Sequence, residues 1–107
     1  MKKEISQDRK FLIERLSYFR AKKKMSAREL SNTMGFSDGY IAKFEMGQIN
    51  MPSEVLLDAL HILEVSPSKF FSKNPEQYDI NNELLNQINS LSDENVEFVK
   101  SLIAKLK

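Results

Sequence analysis

Residues 26–45, SARELSNTMGFSDGYIAKFE, decide the fold of this chain. The stretch holds two amphipathic segments, Ser26–Met34 and Phe36–Glu45, with Gly35 between them. Glycine has no Cβ, so it readily adopts the left-handed backbone that commonly ends a helix. The pattern therefore predicts two short helices joined at a tight glycine turn, which is the arrangement of a helix-turn-helix motif.

The segments on either side of this stretch also follow helical patterns. Leu12, Leu16 and Phe19 recur at helical spacing, and Ser26 with Glu29 has the spacing of a capping box. We see no strand pattern and no internal repeat in the sequence. The predicted helices run over 8–23, after the cap Ser26, over Ser37–Glu45, after the cap Ser53, after Ser66-Pro67, from about Ile80 to Leu91, and after the cap Ser92.

Composition excludes several classes of protein. The chain has 107 residues, of which 41% are hydrophobic, enough for one domain with a small appendage. It has no cysteine, so it forms neither a disulfide framework nor a thiolate metal site. No apolar run approaches the roughly 20 residues that span a bilayer, and the polar N-terminus does not have the pattern of a signal peptide. We expect a cytoplasmic protein that does not contact a membrane.

Charge is distributed unevenly along the chain. The formal net charge is only +1, but residues 1–46 carry eleven bases and six acids, a net charge of +5. The remaining residues carry five bases and nine acids, a net charge of −4. A basic head and an acidic tail indicate a polyanionic partner for the head, although ordinary surface charge is an equally good explanation of this feature by itself.

The apolar positions around Gly35 and the residues that follow them resemble the Cro/phage-repressor type of helix-turn-helix protein, the XRE family. The resemblance covers roughly Leu12 to Phe71 and implies a five-helix, lambda-repressor-like domain. It also implies a sequence-specific transcriptional regulator of double-stranded DNA, more often a repressor than an activator. The matching residues are Leu30, Met34, Phe36, Ile41, Phe44, Glu45-x-Gly47, Pro52, Leu56-Leu57, Val65-Ser66-Pro67 and Phe70.

Two residues depart from the family pattern in the first helix of the motif. Ala27 stands where the family often has a glutamine that helps to hold a DNA phosphate, so this contact is missing. Ser31 stands where the family usually has alanine, and serine is also small enough for two helices to cross closely. The proline after Gly47 comes one residue later than in many members of the family.

The third helix, about Ser37–Glu45, is expected to enter the major groove, which admits a single helix. With Ile41 and Phe44 facing the core, the opposite face carries the residues that we predict to contact bases. Alternatives stay open for three of them: the aspartate favours the helix N-terminus, the tyrosine packs on the core, and the lysine is a solvated charge. The predicted base-contacting residues are Asp38, Gly39, Tyr40 and Lys43.

Phosphate contacts supply much of the affinity of DNA-binding proteins and set their register. The family resemblance pairs Arg20 with Glu45, which would tie the first helix to the third and direct the arginine toward the DNA backbone. The predicted phosphate-contacting residues are Arg20, Arg28, Ser37, Gln48 and Asn50.

The predicted organisation is a DNA-binding domain over 1–74 with a basic N-terminal arm, and a C-terminal helical extension over 75–107. The extension is expected to form a homodimer, although packing against the domain of the same chain is an alternative. A protein-interaction module, such as an antitoxin or an anti-repressor, is the rival function. With one histidine, His61, and no nucleophile motif or phosphate-binding glycine loop, we expect neither an enzyme nor a cofactor. An effector stays undetermined.

Overall fold

The computed structural model describes residues 6–107, so most of the predicted basic arm lies outside the described residues. Every regular element in the described part of the chain is a helix, which confirms the predicted all-α class. The helices are α1 (Gln7–Lys22), α2 (Ala27–Thr33), α3 (Tyr40–Glu45), α4 (Ser53–Ile62), α5 (Pro67–Phe70), α6 (Tyr78–Asn89) and α7 (Asp93–Leu106).

The chain divides into two compact units. The first ends at Phe71 and contains α1 to α5, and the second begins at Ser72 and contains α6 and α7. The prediction from sequence places the boundary after residue 74. The functions that it assigns to the two parts stay predictions.

One apolar core organises the first unit. Burying a large apolar side chain contributes roughly 1.5–3 kcal/mol, so the buried residues of this core are a major source of the stability of the first unit. The aromatic ring of Phe70 is fully buried and stacks on Phe19 from α1, with 5.9 Å between ring centroids. The buried apolar residues are Leu16, Phe19, Leu30, Ile41, Phe44, Leu56, Ala59, Leu60, Leu63 and Phe70.

Gly35 ends α2 as predicted. Its φ is +84°, in the left-handed region, and a Cβ at this position would meet no other atom within 4 Å. The requirement for glycine is therefore one of backbone conformation and not of space. The amide of Gly35 donates to the carbonyl of Asn32, and the amide of Phe36 donates to that of Ser31, at 3.0 and 2.9 Å. These two bonds form a Schellman motif.

α1 and α4 end in the same way but without glycine. Lys24 and Glu64 have φ values of +58° and +60°, a region that costs non-glycine residues free energy. The next residues, Met25 and Val65, donate their amides back to carbonyls of α1 and α4. Lys23 Nζ lies 2.9 Å from Glu64 Oε2, so an ion pair joins the ends of these two helices.

The predicted N-caps are confirmed at some helices and wrong at two. Ser26 and Glu29 form the predicted capping box, and Ser66 and Ser92 accept the expected backbone hydrogen bonds. Ser37 does not cap α3, because its carbonyl instead accepts the amide of Tyr40 in a turn and the helix begins only at Tyr40. The helix predicted over Ser37–Glu45 is therefore shorter at its N-terminus.

The second error in capping concerns α4. Its N-cap is Pro52, not Ser53, which is the first helical residue. Pro52 has the extended backbone of an N-cap, and its carbonyl accepts the amide of Leu56 at 3.0 Å. The fixed φ of proline thus starts the helix one residue earlier than the serine predicts.

The second unit consists of two amphipathic helices without a buried residue. Residues 72–107 are all described, and none of their side chains is buried. In the described part of the chain, no helix is both long enough and apolar enough to cross a membrane. The exposed large apolar residues of the second unit are Ile80, Leu84, Leu85, Leu91, Phe98, Leu102, Ile103 and Leu106.

Candidate nucleic-acid interface

The orientation of α3 follows from two buried side chains. Ile41 is fully buried and Phe44 is nearly so, and both belong to the core of the first unit. On the other side of the helix Lys43 is exposed, and Ala42 and Gly39 are partly exposed. The core therefore holds α3 by one face and leaves a face with one cation open to solvent.

Ser31 caps α3 from the neighbouring helix, a role that the sequence analysis missed. The amide of Ile41, in the first turn of α3, donates to Ser31 Oγ at 3.0 Å, and that hydroxyl donates to the carbonyl of Ala27 at 2.8 Å. Ser31 is fully buried. The hydroxyl thus satisfies an amide at the start of α3 that has no partner within its own helix. A serine within the apolar positions of α2 was the available signal.

Arg20 lies against Glu45, at the end of α3. Arg20 Nη2 lies 2.8 Å from Glu45 Oε1, and Arg20 Nε lies 3.0 Å from Glu45 Oε2, which is a bidentate pair. The third nitrogen, Nη1, donates to the carbonyl of Met25 at 3.0 Å. The two side chains are 20% and 14% exposed. The hydrogen bonds that Arg20 donates to the Glu45 carboxylate raise the pKa of Arg20 further, so the guanidinium is always charged. The pair joins α1, the connection to α2, and α3.

Arg28 and Asp38 lie together on the surface, although the sequence assigns them to different contacts. Arg28 Nη2 is 3.4 Å from Asp38 Oδ2, and the two side chains are 73% and 62% exposed. Exposed pairs of this kind contribute at most about 1 kcal/mol, so either side chain can exchange this partner for another at little cost in free energy.

Tyr40 packs against Phe36 at the start of α3. The two rings are stacked, with centroids 4.0 Å apart and planes at 10°. Tyr40 is also partly buried against the core, which is the alternative that the sequence left open. Phe36 is 37% exposed. Ser37 lies in the turn between these rings and is exposed.

The connection from α3 to α4, residues 46–52, alternates between inward and outward side chains. Gly47 has a φ of +76°, and the amide of Gln48 donates to the carbonyl of Lys43 at 2.8 Å, which closes α3 with another Schellman motif. Ile49 and Met51 pack partly buried against the core. Gln48 and Asn50, the two residues predicted to contact phosphates, are exposed.

Arg9 was also missed by the sequence analysis. Its Nη2 donates to the carbonyl of Ile49 at 2.6 Å, across forty positions of sequence. A second arginine of α1, Arg15, makes a similar bond to the carbonyl of Phe70 at 2.7 Å. No sequence signal identifies these partners, because each is a backbone carbonyl whose position depends on the tertiary fold.

Metal chemistry receives no support from the described residues. Within residues 6–107 no group of three or more His, Cys, Asp or Glu side chains is placed to hold a metal ion, and His61 is exposed.

Comparison with known proteins gives one informative match. A scan against protein-family models finds no match, and a search of the curated proteins finds none either. Among solved structures, the chain is similar to the crystal structure of the clp gene regulator ClgR from C. glutamicum, with a TM-score of 0.56 and 32% sequence identity. The match covers 64% of this chain and 88% of that chain.

The helical fold, the glycine turn and the open face of α3 define a helix-turn-helix protein. The similarity to ClgR in both structure and sequence places the chain among helix-turn-helix transcriptional regulators, at the level of that class. DNA is accordingly the expected partner of the first unit.

Proposed function

We propose that this chain is a sequence-specific transcriptional repressor of the Cro/phage-repressor (XRE) type, which inserts α3 into the major groove of double-stranded DNA. One observation carries the proposal, namely that the face of α3 opposite the core stays open. Lys43 on this face is exposed, and a Cβ added to Gly39 would meet only Lys43 Cε, at 3.9 Å. Among residues 6–71, the described part of the first unit, no side chain covers Lys43.

Base readout in this proposal rests on few groups. Lys43 donates to O6 and N7 of guanine, and Asp38 accepts from N4 of cytosine. Tyr40, held by its stack on Phe36, contacts a thymine methyl or a phosphate at the edge of the face. Gly39 has no side chain and allows the backbone to approach the base edges closely.

Phosphate contacts surround this face in the proposed complex. Gln48 and Asn50 lie in the connection after α3, and Ser37 lies in the turn before it. Arg28 exchanges its exposed pair with Asp38 for a phosphate, and Arg20 approaches the backbone from its pair with Glu45. These groups set the register of α3 but carry no sequence information.

The decisive test is to measure binding to duplex DNA by fluorescence anisotropy over a range of salt concentrations. We expect affinity for a mixed-sequence duplex to fall steeply as salt rises, because phosphate contacts release counterions. Selection from a random duplex library then gives the preferred site. Lys43→Ala should relax specificity at one base pair by about 1–3 kcal/mol, whereas the matched variant Lys105→Ala on α7 should not. Absence of binding at low salt would reject the proposal.

We also propose that the second unit forms a homodimer through α6 and α7. Eight large apolar side chains are exposed there, and a helical pair in which no side chain is fully buried gains little to offset the conformational entropy lost on ordering it. A second copy would cover these faces and present two α3 helices to half-sites about 34 Å apart. Sedimentation measurements on Phe98→Glu test this proposal, with Lys100→Glu, a change at a polar position, as the control. A monomeric wild-type protein would rule it out.

The second candidate function is a protein-interaction module, such as an antitoxin or an anti-repressor. The same exposed apolar faces favour it, because they suit a protein partner as well as a second copy. Failure to bind DNA at low salt, with the chain folded, would favour this candidate. Under both candidates we expect no catalytic activity and no cofactor, and under the first a cytoplasmic protein that joins the nucleoid when it binds DNA.

A further inference from the structure

We infer that Arg9 is a positioning residue for DNA binding, which holds residues 46–52 so that Gln48 and Asn50 face the phosphate backbone. The inference rests on the proposed function, since it concerns how the first unit contacts DNA. It adds a residue from the start of α1 that does not itself contact the nucleic acid.

The geometry directs the partly buried Arg9 guanidinium toward the connection between α3 and α4. Its Nη2 donates to the carbonyl of Ile49 at 2.6 Å, a short bond from a charged donor. Its Nε is buried and has no hydrogen-bond partner among the described residues. Burying a donor without a partner costs free energy, so the other contacts of the Arg9 side chain must offset this cost. The guanidinium is thus placed to hold a carbonyl and not to meet a phosphate.

The carbonyl that Arg9 holds lies between the two predicted phosphate contacts. Gln48 precedes Ile49, and Asn50 follows it. The N-terminal end of this connection is fixed by the bond from the amide of Gln48 to Lys43, and its C-terminal end by the start of α4. Among the described residues, no hydrogen bond between backbone groups involves Ile49, Asn50 or Met51.

Loss of the Arg9 bond would therefore release the peptide unit that joins Ile49 to Asn50. Rotation of that unit reorients the adjacent residues, because each peptide plane is shared by two residues. The side chains of Ile49 and Met51 would still hold the connection to the core. We expect the connection to remain in place while the backbone that carries Gln48 and Asn50 is no longer held in a single orientation.

Arg15 provides a matched control on the same helix. Its Nη1 donates to the carbonyl of Phe70 at 2.7 Å, so it makes the same type of contact with a different element of the first unit. Arg9→Met and Arg15→Met each remove a guanidinium that bonds to a backbone carbonyl and leave a shorter, unbranched and uncharged side chain. Both should lower the midpoint of urea unfolding. Only Arg9→Met should weaken binding to DNA.

The experiment measures the dissociation constant of a mixed-sequence duplex over a range of salt concentrations, for variants shown to be folded. We expect Arg9→Met to weaken binding by about fivefold, the effect of one lost hydrogen bond, with an unchanged salt slope. The effect should be absent in a background of Gln48→Ala and Asn50→Ala, because the residues through which Arg9 acts are then already removed. If Arg9→Met does not fold, Arg9→Gln serves in its place.

Several results would overturn the inference. A decrease of about one unit in the salt slope would make Arg9 a direct phosphate ligand. An equal loss of affinity in Arg15→Met would show that the weaker binding results from general destabilisation. Unchanged affinity in Arg9→Met, with the wild-type protein bound, would refute the inference and leave the proposed function intact. A wild-type chain that binds no DNA would instead refute the proposed function, and the inference with it.

Discussion

The two units of this chain show what an amphipathic pattern does and does not determine. Both are built from helices with apolar residues at helical spacing, and both have serine N-caps. In the first unit these faces converge on a single buried core, whereas in the second no side chain is buried. The pattern therefore predicts a helix in each unit, but only the tertiary structure decides whether its apolar face has a partner.

The largest expected effect comes from one isoleucine in each unit. Ile41 is 0% exposed and Ile103 is 48% exposed. Ile41→Ala should lower the free energy of unfolding by about 2–5 kcal/mol, because it leaves a cavity in the core. Ile103→Ala should change it by at most about 0.5 kcal/mol in the dilute protein. Urea unfolding monitored by circular dichroism compares the two variants. Equal effects would contradict the difference in packing.

The next comparison uses one ion pair from each unit. Arg20→Ala removes a bidentate and mostly buried partner of Glu45, and should cost about 1–3 kcal/mol of stability together with DNA affinity. Lys100→Ala breaks an exposed pair with Glu97, whose closest atoms are 3.5 Å apart, and should cost at most about 0.5 kcal/mol. Thermal unfolding and anisotropy measure both quantities. Unchanged stability and affinity in Arg20→Ala would refute the role assigned to this pair.

Two serine caps sharpen the comparison further. Ser31→Ala leaves the amide of Ile41 buried without a partner, and should cost about 1–2 kcal/mol although the side chain shrinks by only one atom. Ser92→Ala removes an exposed cap of α7, where water replaces the hydroxyl, and should cost about 0.5–1 kcal/mol. The denaturant midpoints of the two variants compare these losses of stability. A smaller effect at Ser31 than at Ser92 would show that the buried bond is unimportant.

The smallest expected effect is a dependence on pH within the first unit. The hydrogen bond and the charge of Lys23 hold the pKa of Glu64 below its ordinary value. A carboxylate with a lowered pKa stabilises the folded state above the unfolded pKa, and this contribution is lost as pH falls through the folded value. Stability should thus decline between about pH 5 and pH 3, and Glu64→Gln should reduce the decline. An identical pH profile in the variant would contradict the role of the pair.

Local signals in the sequence were sufficient for most of the fold. The left-handed Gly35 and the capping box at Ser26 depend on neighbouring residues, and both are confirmed. The caps expected at Ser37 and Ser53 are wrong because a turn and a proline compete for the same backbone groups. A helix end was predicted correctly only where no other local structure competed for its backbone groups.

The candidate site was less accessible to prediction. The residues of α3 were identified from the glycine turn, but Arg9 and Ser31 were missed. Their partners are a carbonyl forty residues away and an amide of another helix, so no spacing in the sequence identifies them. The occupant that we propose for the apolar faces of the second unit is equally difficult to identify from the sequence, because an apolar helical face has the same pattern whether it meets another protein or a second copy of itself.

The cap that Ser31 provides has a consequence for the order of folding. A helix of six residues does not nucleate by itself in water, and in α3 the amide of Ile41 in the first turn bonds to a hydroxyl on α2. We therefore expect α3 to form only after α2 is in place and to be lost whenever α2 frays. In native-state hydrogen exchange the amide of Ile41 should then open together with the amides of α2, as one cooperative unit.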